Sequence, residues 1–327
     1  MNVIEILLIT GALWGLVHAV SRFKQGHVVY LAFWLASVVF MLALEIPVYF
    51  PEKIGGDETS LFFIHNEFTV QFFFGRAPLY ILALYPAVMY SSFVLVKQAG
   101  LFEGRFGALS GAVAVGLVHH IFYEVFDHYG PQYGWWLWNY PNFNGSLAAV
   151  PVSSMVSFAF IGPIALTLAT RLLVTTDRYE EGISLSRFSS RILFGVRAVA
   201  GGLLTPVFFV LLTTDTWYEL LAIELTTQRE TFTAIALLGS ALTLTVLKFS
   251  RITEFSMSGL LTFSKAYLSL FLAVFLVLWL YALPDYLSAV DGVTSWGSRT
   301  GSLPYALGCI VLGIFFLLRT RSGEQCT

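Results

Sequence analysis

The sequence has few charged residues for its length. Charged side chains make up 12% of the 327 residues, against about 25% in a typical soluble domain, while hydrophobic residues make up 57%. The mean hydropathy is +0.76. So few charges cannot cover the outside of a soluble protein of this composition. The chain is therefore predicted to use the lipid bilayer as its solvent.

Cysteine is nearly absent as well. The two cysteines are Cys309, within an apolar run, and Cys326, in the tail. This number excludes a disulfide-stabilised scaffold, a Cys-rich zinc site and an iron–sulfur centre. The net charge is only −2, so the sequence has no basic surface for nucleic acid. We expect no nucleic-acid partner.

Motifs for common cofactors and nucleophiles are missing too. The sequence has no P-loop, no dinucleotide-binding fingerprint, no Asp-rich site for Mg²⁺ and diphosphate, and no Gly-x-Ser-x-Gly element. His120, Glu124 and His128 follow an i, i+4, i+8 spacing that a metal could use, with His65 from a loop. The spacings typical of membrane di-iron enzymes are nevertheless missing. We expect neither a metal nor another cofactor.

Long apolar runs dominate the sequence instead. A helix crosses the hydrocarbon in about 20 residues. The first run starts almost at Met1, with no basic segment before it and no small-residue cleavage site after it, which predicts a retained span. The nine predicted spans are roughly 3–21, 28–50, 77–96, 106–127, 147–172, 192–213, 230–248, 258–283 and 303–318. They predict an all-α, polytopic membrane helical bundle.

The basic residues predict the orientation of this bundle. Twelve of the 18 Lys and Arg residues fall on one side of the nine-span arrangement and four on the other. Because Lys and Arg concentrate in cytoplasmic loops, the amino terminus is predicted outside and the carboxyl terminus in the cytoplasm. The protein is expected to be a multi-pass protein of the plasma membrane.

A polar stretch divides the predicted spans into two groups. Residues 1–174 predict a five-helix membrane unit that carries the candidate site, and residues 192–327 predict a four-helix unit with a short tail. The residues between them, 175–191, mix both signs of charge with Ser and Gly. They predict a cytoplasmic linker.

The fourth span carries the richest set of titratable side chains. His120, Glu124 and Asp127 follow an i, i+4, i+7 spacing that places them on one helix face, with His119 and Tyr123 beside them. Titratable groups are costly in hydrocarbon, so each one indicates a functional role. We predict that Glu124, His120 and Asp127 are catalytic.

Further polar and aromatic residues are predicted at the same depth. Glu45, at the outer end of the second span, would be a fourth catalytic group. The candidate substrate-binding residues are His119, Tyr123, Arg76, Trp135, Trp136, Trp138, Asn139, Ser153 and Ser154. Acid, imidazole and indole side chains therefore converge on the outer half of spans 2–5.

Structural explanations stay open for several of these residues. The three tryptophans could form the aromatic belt that is common at membrane interfaces. Asp127 and His128 could end the helix in water. His119 or His120 could make an interhelical hydrogen bond, and the His120–Glu124 pair could be a structural lock.

The predicted combination of groups suits proton chemistry on an apolar substrate. A carboxylic acid in a low-dielectric surrounding tends to keep its proton, and a neighbouring imidazole can deliver or retrieve it. Indole and phenol faces stabilise a carbocation by cation–π attraction. These groups favour protonation of an alkene or epoxide, followed by cyclisation, hydration or double-bond migration, without a cofactor.

The stretch 127–139, followed by Gly145 and by 150–154, resembles the signature of integral-membrane carotenoid cyclases. That signature has an acidic residue at a helix end, then Gly and Trp with a nearby Asn, then Gly, then a Pro that opens the next helix. The related carotenoid hydratases have a similar Gly-aromatic and Val-Pro arrangement. Where lycopene cyclases have two glutamates after the Pro, this sequence has Ser153 and Ser154, which moves the expected acid to the second or fourth span.

The His120–Glu124 pair is also similar to the His-x-x-x-Glu element of sterol Δ8–Δ7 isomerases. Both resemblances imply cofactor-free proton chemistry on an isoprenoid or carotenoid-like lipid. Glu124 would then be the proton donor, with His120 as its partner and Asp127 or Glu45 as a second acid.

Two other functions remain open at this point. A membrane transporter or lipid-binding protein could use the same outer-half pocket, since four prolines inside the spans permit helix kinks. An assembly subunit could use its aromatic loops to bind a partner. The predicted partners are therefore a hydrophobic small molecule or lipid and the bilayer itself.

Overall fold

The computed structural model describes residues 2–174, 188–252 and 262–320. The protein is mostly helical, at 74%, and eight of the described helices are long and apolar enough to cross a membrane. These are α1 (Val3–Lys24), α2 (Val28–Tyr49), α3 (Leu79–Gln98), α4 (Gly107–Asp127), α5 (Val152–Leu173), α6 (Phe188–Leu212), α8 (Thr227–Ser250) and α9 (Phe263–Ser288). The predicted helical membrane bundle is confirmed at this level.

Two further helices of seven or more residues belong to the described chain. The short helix α7 (Thr214–Leu220) follows α6, and α10 (Leu303–Arg319) is an apolar helix of 17 residues. All nine predicted spans therefore correspond to helices, but the last one is shorter than the other eight. The predicted linker 175–191 lies outside the described residues except for its last four, which begin α6.

The central helices of the bundle are α3, α4 and α5. They are mostly buried against other helices, whereas α6 and α8 are largely exposed on the outer surface of the bundle. Helix α6 packs on α2 and α5, while α8, α9 and α10 all contact α4. The later helices therefore surround the first five, and α4 has neighbours on every side.

Two of the central helices contain a π-helical turn. The turn in α3 spans Tyr85–Met89 and includes Pro86, and the turn in α5 spans Ser157–Ile161, just before Pro163. A proline has no N–H to donate to the preceding turn, so the backbone widens locally to accommodate it. Both turns lie close to α4 in the centre of the bundle.

Small antiparallel sheets cover one end of the bundle, a feature that the all-α prediction did not include. Strand β1 (Phe63–His65), in the α2–α3 loop, pairs with β4 (Trp136–Trp138), in the α4–α5 loop, so that His65 lies opposite Trp136. Two shorter pairs are β2 (Gln71–Phe72) with β3 (Ala77–Pro78), and β5 (Ser146–Leu147) with β6 (Val150–Pro151). The β1–β4 pair joins the two loops into one cover over α2–α5.

The amino-terminal end of α1 is attached to the same cover. Glu5 closes a capping box with Asn2, whose backbone N–H donates to Glu5 Oε2 at 2.7 Å. The backbone N–H and the hydroxyl of Thr69 donate to the two oxygens of Glu5 at 2.9 and 2.8 Å. This buried acid therefore has partners for both of its oxygens.

Candidate functional site

Helix α4 carries two adjacent rows of polar side chains. One row consists of His119, Tyr123 and Asp127, which all line a cavity between α2, α3, α4 and the β1–β4 cover; we call it the closed pocket. The other row consists of His120, Glu124 and His128, on the side of α10. The two rows are offset by one residue, because side chains four apart on a helix lie on one face.

The closed pocket is small. Its volume is about 40 Å³, which is enough for about three water molecules and far too little for a lipid. Aromatic side chains make most of its wall, and they come from the helices and from the cover: Phe63, Tyr85, Tyr123, Phe126, Trp136, Trp138 and Phe158. The polar residues in the wall are Glu45, His65, His119 and Asp127.

Three buried hydrogen-bond acceptors on residues that line this pocket, and one donor, the indole N–H of Trp138, have no hydrogen-bond partner among the residues that the structure describes. The Tyr85 hydroxyl donates to Glu45 Oε1 at 2.5 Å, which leaves Glu45 Oε2 without a partner. The Ser154 hydroxyl donates to Asp127 Oδ2 at 3.4 Å, which leaves Asp127 Oδ1. The third atom is Nε2 of His119.

The tautomer of His119 follows from its surroundings. Its Nδ1 lies 2.7 Å from the carbonyl oxygen of Ala159, and a carbonyl can only accept, so Nδ1 carries the proton. Nε2 is therefore a lone-pair acceptor in the neutral ring. The ring stacks on Tyr123 at a centroid distance of 5.3 Å, which fixes its orientation at the pocket wall.

His65 closes the pocket from the cover. Its Nδ1 lies 3.1 Å from the hydroxyl of Tyr80, and its ring packs against Phe63 and Trp136. Burial among these rings lowers the pKa of His65 to about 3, because a charged imidazole would lose its hydration there. His65 is therefore neutral at physiological pH.

A much larger cavity lies on the other side of α4. This lateral groove has a volume of about 540 Å³ between α4, α5, α8 and α10. The lining residues that the structure describes include no Asp, Glu, Lys or Arg, and most of them are aliphatic. Ile235, which lines the groove on α8, is 67% exposed, so the groove opens on the outer surface of the bundle.

Apart from Thr231 on α8, the polar part of the groove wall is the pair of His120 and Tyr305. Nδ1 of His120 lies 3.0 Å from the carbonyl oxygen of Met155 and so carries a proton. The hydroxyl of Tyr305 lies 2.7 Å from Nε2 of His120 and donates to it when the ring is neutral. Both residues line the groove.

Glu124 lies directly behind this pair. Its side chain is fully buried, with Oε1 at 3.6 Å from Nδ1 of His120 and Oε2 at 3.4 Å from Nε2 of His128. His128 Nδ1 accepts from the backbone N–H of Ser302 at 3.2 Å, so its Nε2 carries the proton that faces Glu124. The Glu124 carboxyl thus lies between two imidazole rings, but neither of its oxygens has a hydrogen-bond partner among the described residues, because the Nδ1 proton of His120 is held by Met155.

The predicted catalytic residues therefore fall into two places. Glu45 and Asp127 meet at the closed pocket, while His120 and Glu124 lie on the groove side, where His128 completes the row. The prediction placed Asp127 in one row with His120 and Glu124; in the structure it lines the pocket with His119 and Tyr123. Asp127 is one helical turn beyond Glu124, at the boundary between the rows, and Ser154 of α5 holds it on the pocket side.

The predicted substrate-binding residues are more dispersed. Trp136 and Trp138 line the closed pocket, whereas Trp135 packs on Tyr129 outside the residues that form its wall. The side chain of Asn139 donates to the backbone carbonyls of Thr59 and Leu61, and so connects the two outer loops.

Arg76 and the serine pair lie apart from both cavities. Arg76 donates to the carbonyl of Tyr49 at 2.6 Å and pairs with Glu52 at 3.0 Å, outside the wall of the pocket. Ser154 contacts Asp127, whereas the buried hydroxyl of Ser153 has no partner among the described residues.

Two structural explanations that the sequence left open are wrong. Asp127 and His128 do not end the helix in water, because both side chains are fully buried. The tryptophans do not form an interfacial belt, since Trp135, Trp136 and Trp138 are only 3–8% exposed and pack inside the cover. The cover shields this end of α4 from the surroundings.

Sequence reasoning missed two residues of the site. Tyr305 comes from α10, about 185 residues after His120, and no spacing rule connects them. Tyr85 is the partner of Glu45 and lies next to Pro86, within the π turn of α3. A phenol beside a proline in the middle of a span was the available signal for Tyr85; Tyr305 had none.

A shared metal ion finds no ligand set in the part of the chain that the structure describes. No three His, Cys, Asp or Glu side chains there are placed to hold one ion. Glu45, Asp127 and His119, which line the pocket, are not such a set. The arrangement therefore offers hydrogen-bond acceptors and aromatic rings around a small space.

Comparison with known proteins identifies a family. No curated protein and no solved structure matches the chain. A family model described as "Domain of unknown function (DUF7802)" matches residues 2–284, which include α1–α8, most of α9 and both rows of α4. Because this match covers well over half of the 327 residues, the chain belongs to the DUF7802 family.

Proposed function

We propose that the protein is an integral-membrane enzyme that carries out cofactor-free, acid-initiated chemistry on an isoprenoid-like lipid in the lateral groove. The observation that carries this proposal is the polar wall of the groove. A cavity of about 540 Å³ with a mostly apolar lining has the His120–Tyr305 pair in its wall, with the buried Glu124 behind it. The geometry thus brings an apolar binding space and a proton-carrying pair together.

The size and lining of the groove suit a lipid substrate. Its volume lies within the range of about 300–1,000 Å³ that is usual for small-molecule sites. The exposure of Ile235 gives a lateral entrance, through which an apolar molecule can enter from the bilayer without crossing water. The lack of charged residues in the described lining favours an uncharged hydrocarbon.

The proton in this proposal is shared by Glu124 and His120. In the protonated pair, the Nδ1–H of His120 stays on the carbonyl of Met155, the nearby Glu124 carboxylate balances the charge of the ring, and the Nε2–H faces Tyr305. Nε2 gives its proton to the Tyr305 oxygen while the Tyr305 hydroxyl gives its own proton to an alkene carbon. The products are a substrate carbocation and the neutral His120 that accepts from Tyr305.

Return of a proton completes the reaction. The carbocation loses a proton from a neighbouring carbon to the Tyr305 oxygen, Tyr305 passes its proton to Nε2, and the product is a lipid with a shifted double bond. Tyr305 is the one aromatic residue in the described groove lining. Because a multistep cyclisation needs more aromatic surface to stabilise its cations, we favour double-bond migration or hydration over cyclisation.

The decisive experiment compares lipid extracts from cells with and without the protein by mass spectrometry. Migration of a double bond gives an isomer of unchanged mass, and hydration gives the mass of one added water. Glu124→Gln keeps the shape of the side chain but removes the counter-charge of His120, so conversion is expected to fall by about 100-fold or more.

Glu5→Gln is the matched control for this experiment. Glu5 is another buried acid, but its oxygens are bound by Asn2 and Thr69, far from the groove residues in the fold. The control is expected to keep its conversion at equal protein abundance. Full conversion by Glu124→Gln would overturn the assignment of Glu124.

Binding without chemistry is the second candidate function, and the lateral entrance of the groove favours it equally. A transporter or lipid-binding protein would bind the same apolar molecule and release it unchanged. Reconstituted vesicles separate the two: movement of a labelled isoprenoid between leaflets or vesicles with no change in its mass supports this second function.

We also propose that all nine apolar helices cross the plasma membrane, with the amino terminus outside and the carboxyl terminus in the cytoplasm. The excess of Lys and Arg on one side of the nine-span arrangement supports this orientation. A fluorescent reporter fused to the carboxyl terminus is expected to be protected from protease in intact cells. Digestion of the reporter outside the cell would reverse the orientation or change the number of spans.

A further inference from the structure

We propose that the closed pocket is a binding site for a small ammonium-type cation, either the ammonium ion or methylammonium. This inference is independent of the chemistry assigned to the groove, since it depends on the opposite side of α4. It starts from three buried acceptor atoms on residues that line the pocket, none of which has a partner among the described residues: Glu45 Oε2, Asp127 Oδ1 and His119 Nε2.

The three atoms share one property, because each accepts hydrogen bonds. The carboxyl oxygens are acceptors, and Nε2 of His119 is an acceptor because Nδ1 holds the proton against Ala159. Each carboxyl group already accepts a hydroxyl proton at its other oxygen, from Tyr85 or Ser154. A ligand that satisfies all three atoms must therefore carry several N–H or O–H donors.

The charge and the walls of the pocket favour a cation among such ligands. The described pocket wall has two carboxyl groups and no Lys or Arg, so a bound cation would supply the positive charge that lets one of these buried acids ionise. The rings of Tyr123, Trp136 and Trp138 add cation–π attraction, which is strongest for indole and increases when water is excluded. The pocket thus combines the two elements that proteins use for ammonium groups.

Geometry distinguishes an ammonium ion from a metal ion. No three His, Cys, Asp or Glu side chains in the described residues are placed to share a metal. An ammonium ion binds through N–H···O and N–H···N hydrogen bonds of roughly 2.8–3.0 Å, which suit more widely spaced acceptors. The imidazole nitrogen is also a poor ligand for alkali ions and a good acceptor for N–H.

The volume sets the upper size of the ligand. About 40 Å³ accommodates an ammonium or methylammonium ion with one or two waters, and it excludes tetramethylammonium. The indole N–H of Trp138, a buried donor without a partner in the described chain, can donate to such a water. The β1–β4 pair supplies one wall of the site, through Phe63, His65, Trp136 and Trp138.

The test measures the thermal unfolding of the purified full-length protein in detergent at constant ionic strength. Ammonium chloride and methylammonium chloride are expected to raise the unfolding temperature in a saturable manner, because a ligand that binds only the folded state stabilises it. Sodium chloride and tetramethylammonium chloride are expected to give no saturable rise. Fluorescence quenching of Trp136 and Trp138 provides a second readout, which Trp136→Phe should reduce.

Variants link the response to the pocket. Glu45→Gln and Asp127→Asn are each expected to weaken the apparent affinity for ammonium by about tenfold, whereas Glu103→Gln, an exposed acid in the turn between α3 and α4, leaves it unchanged. If one of these two variants does not fold, the other variant and the comparison of the four salts on the wild-type protein still test the proposal. No saturable response to ammonium in the wild-type protein, or an equal response to sodium, would overturn the proposal, and the pocket would then hold water only.

Discussion

The two sides of helix α4 differ in almost every physical respect. On one side, a closed pocket of about 40 Å³ has two carboxyl groups, two histidines and a wall of aromatic rings. On the other side, a groove of about 540 Å³ opens to the surface and is mostly aliphatic. The rows that face them are offset by a single residue. One helix can therefore serve two compartments of opposite polarity when its polar residues come in adjacent pairs.

The largest expected effect comes from filling the groove. Gly308 lines the groove, and a Cβ atom built there meets nothing within 4 Å, so Gly308→Phe projects a ring into the lipid space. Conversion of the lipid is expected to fall by roughly 100-fold, because a displaced substrate no longer reaches Tyr305. The measurement is product formation in membranes with equal protein content.

Gly195→Phe is the matched control for this variant. Gly195 lies on α6, and its added Cβ atom also meets nothing within 4 Å. The control should convert lipid normally. If Gly308→Phe also converted normally, the groove would not be the substrate site, while the ammonium response of the closed pocket would be unaffected.

The next effect concerns the attachment of α10 to the groove side. A Cβ atom at Gly301 would lie 1.9 Å from the backbone oxygen of His128, so Gly301→Ala must push the start of α10 away. We expect a loss of about 1–3 kcal/mol of unfolding free energy, as is usual for overpacking, and a weakened Ser302–His128 hydrogen bond. Chemical unfolding in detergent measures the unfolding free energy, and Gly308→Ala is the control that should leave it unchanged.

Two tyrosine substitutions test the two sides of α4 separately. Tyr305→Phe removes the hydroxyl that contacts His120, and Tyr85→Phe removes the hydroxyl that contacts Glu45. We expect Tyr305→Phe to lower conversion by only about tenfold, because His120 also lines the groove and can then protonate the alkene directly, and to keep the ammonium response. Tyr85→Phe should weaken ammonium binding by a few-fold and keep conversion.

Both measurements are made on both variants, so the comparison contains its own controls. If each variant lowered both conversion and ammonium binding, the two compartments would not be separate sites. If neither variant lowered conversion, the relay through Tyr305 would be wrong.

The smallest expected effect is a dependence of stability on pH. The pKa of His65 in the folded protein is about 3 and lies below its value of about 6.5 in the unfolded chain. The unfolded state therefore binds more protons between these values, and stability falls as the pH drops below 6.5. Because the edge of the His65 side chain is partly exposed, we expect a loss of up to about 1 kcal/mol at pH 5.

His65→Gln should remove this part of the pH dependence. The measurement compares the unfolding temperature of the wild type and the variant between pH 7.5 and pH 5. His27→Gln, at the turn between α1 and α2, is the control. A wild type and a His65→Gln variant that lost stability equally on acidification would contradict the assignment.

The sequence predicted the helices better than the sites. Apolar runs of about 20 residues mark the helices directly, and the helical period placed His120 beside Glu124, whose facing atoms lie 3.6 Å apart. The division between the rows was less predictable, because Asp127 lies angularly between them and only Ser154 on another helix holds it at the pocket. Periodicity gives the direction of a side chain, but its neighbours decide which cavity it enters.

Contacts between distant parts of the chain could not be predicted from one sequence. The pairing of β1 with β4 joins three-residue strands that are about 70 residues apart, and three residues carry too little pattern to be recognised as a strand. The contact of Tyr305 with His120 likewise depends on how α10 packs on α4. The cover and the groove wall are products of tertiary packing.

The position of α4 between the two compartments constrains how this protein can change over time. A substitution that rotates or shifts α4 enlarges the cavity on one side of the helix. The same movement presses the opposite face of α4 into the cavity on the other side. Gly116 makes this coupling tighter, because a Cβ atom there would lie 2.6 Å from Ile164 and from the backbone of Phe160. Mutations on opposite faces of the helix should therefore show epistasis, and lineages that acquire a new cargo should carry compensating replacements on the far face.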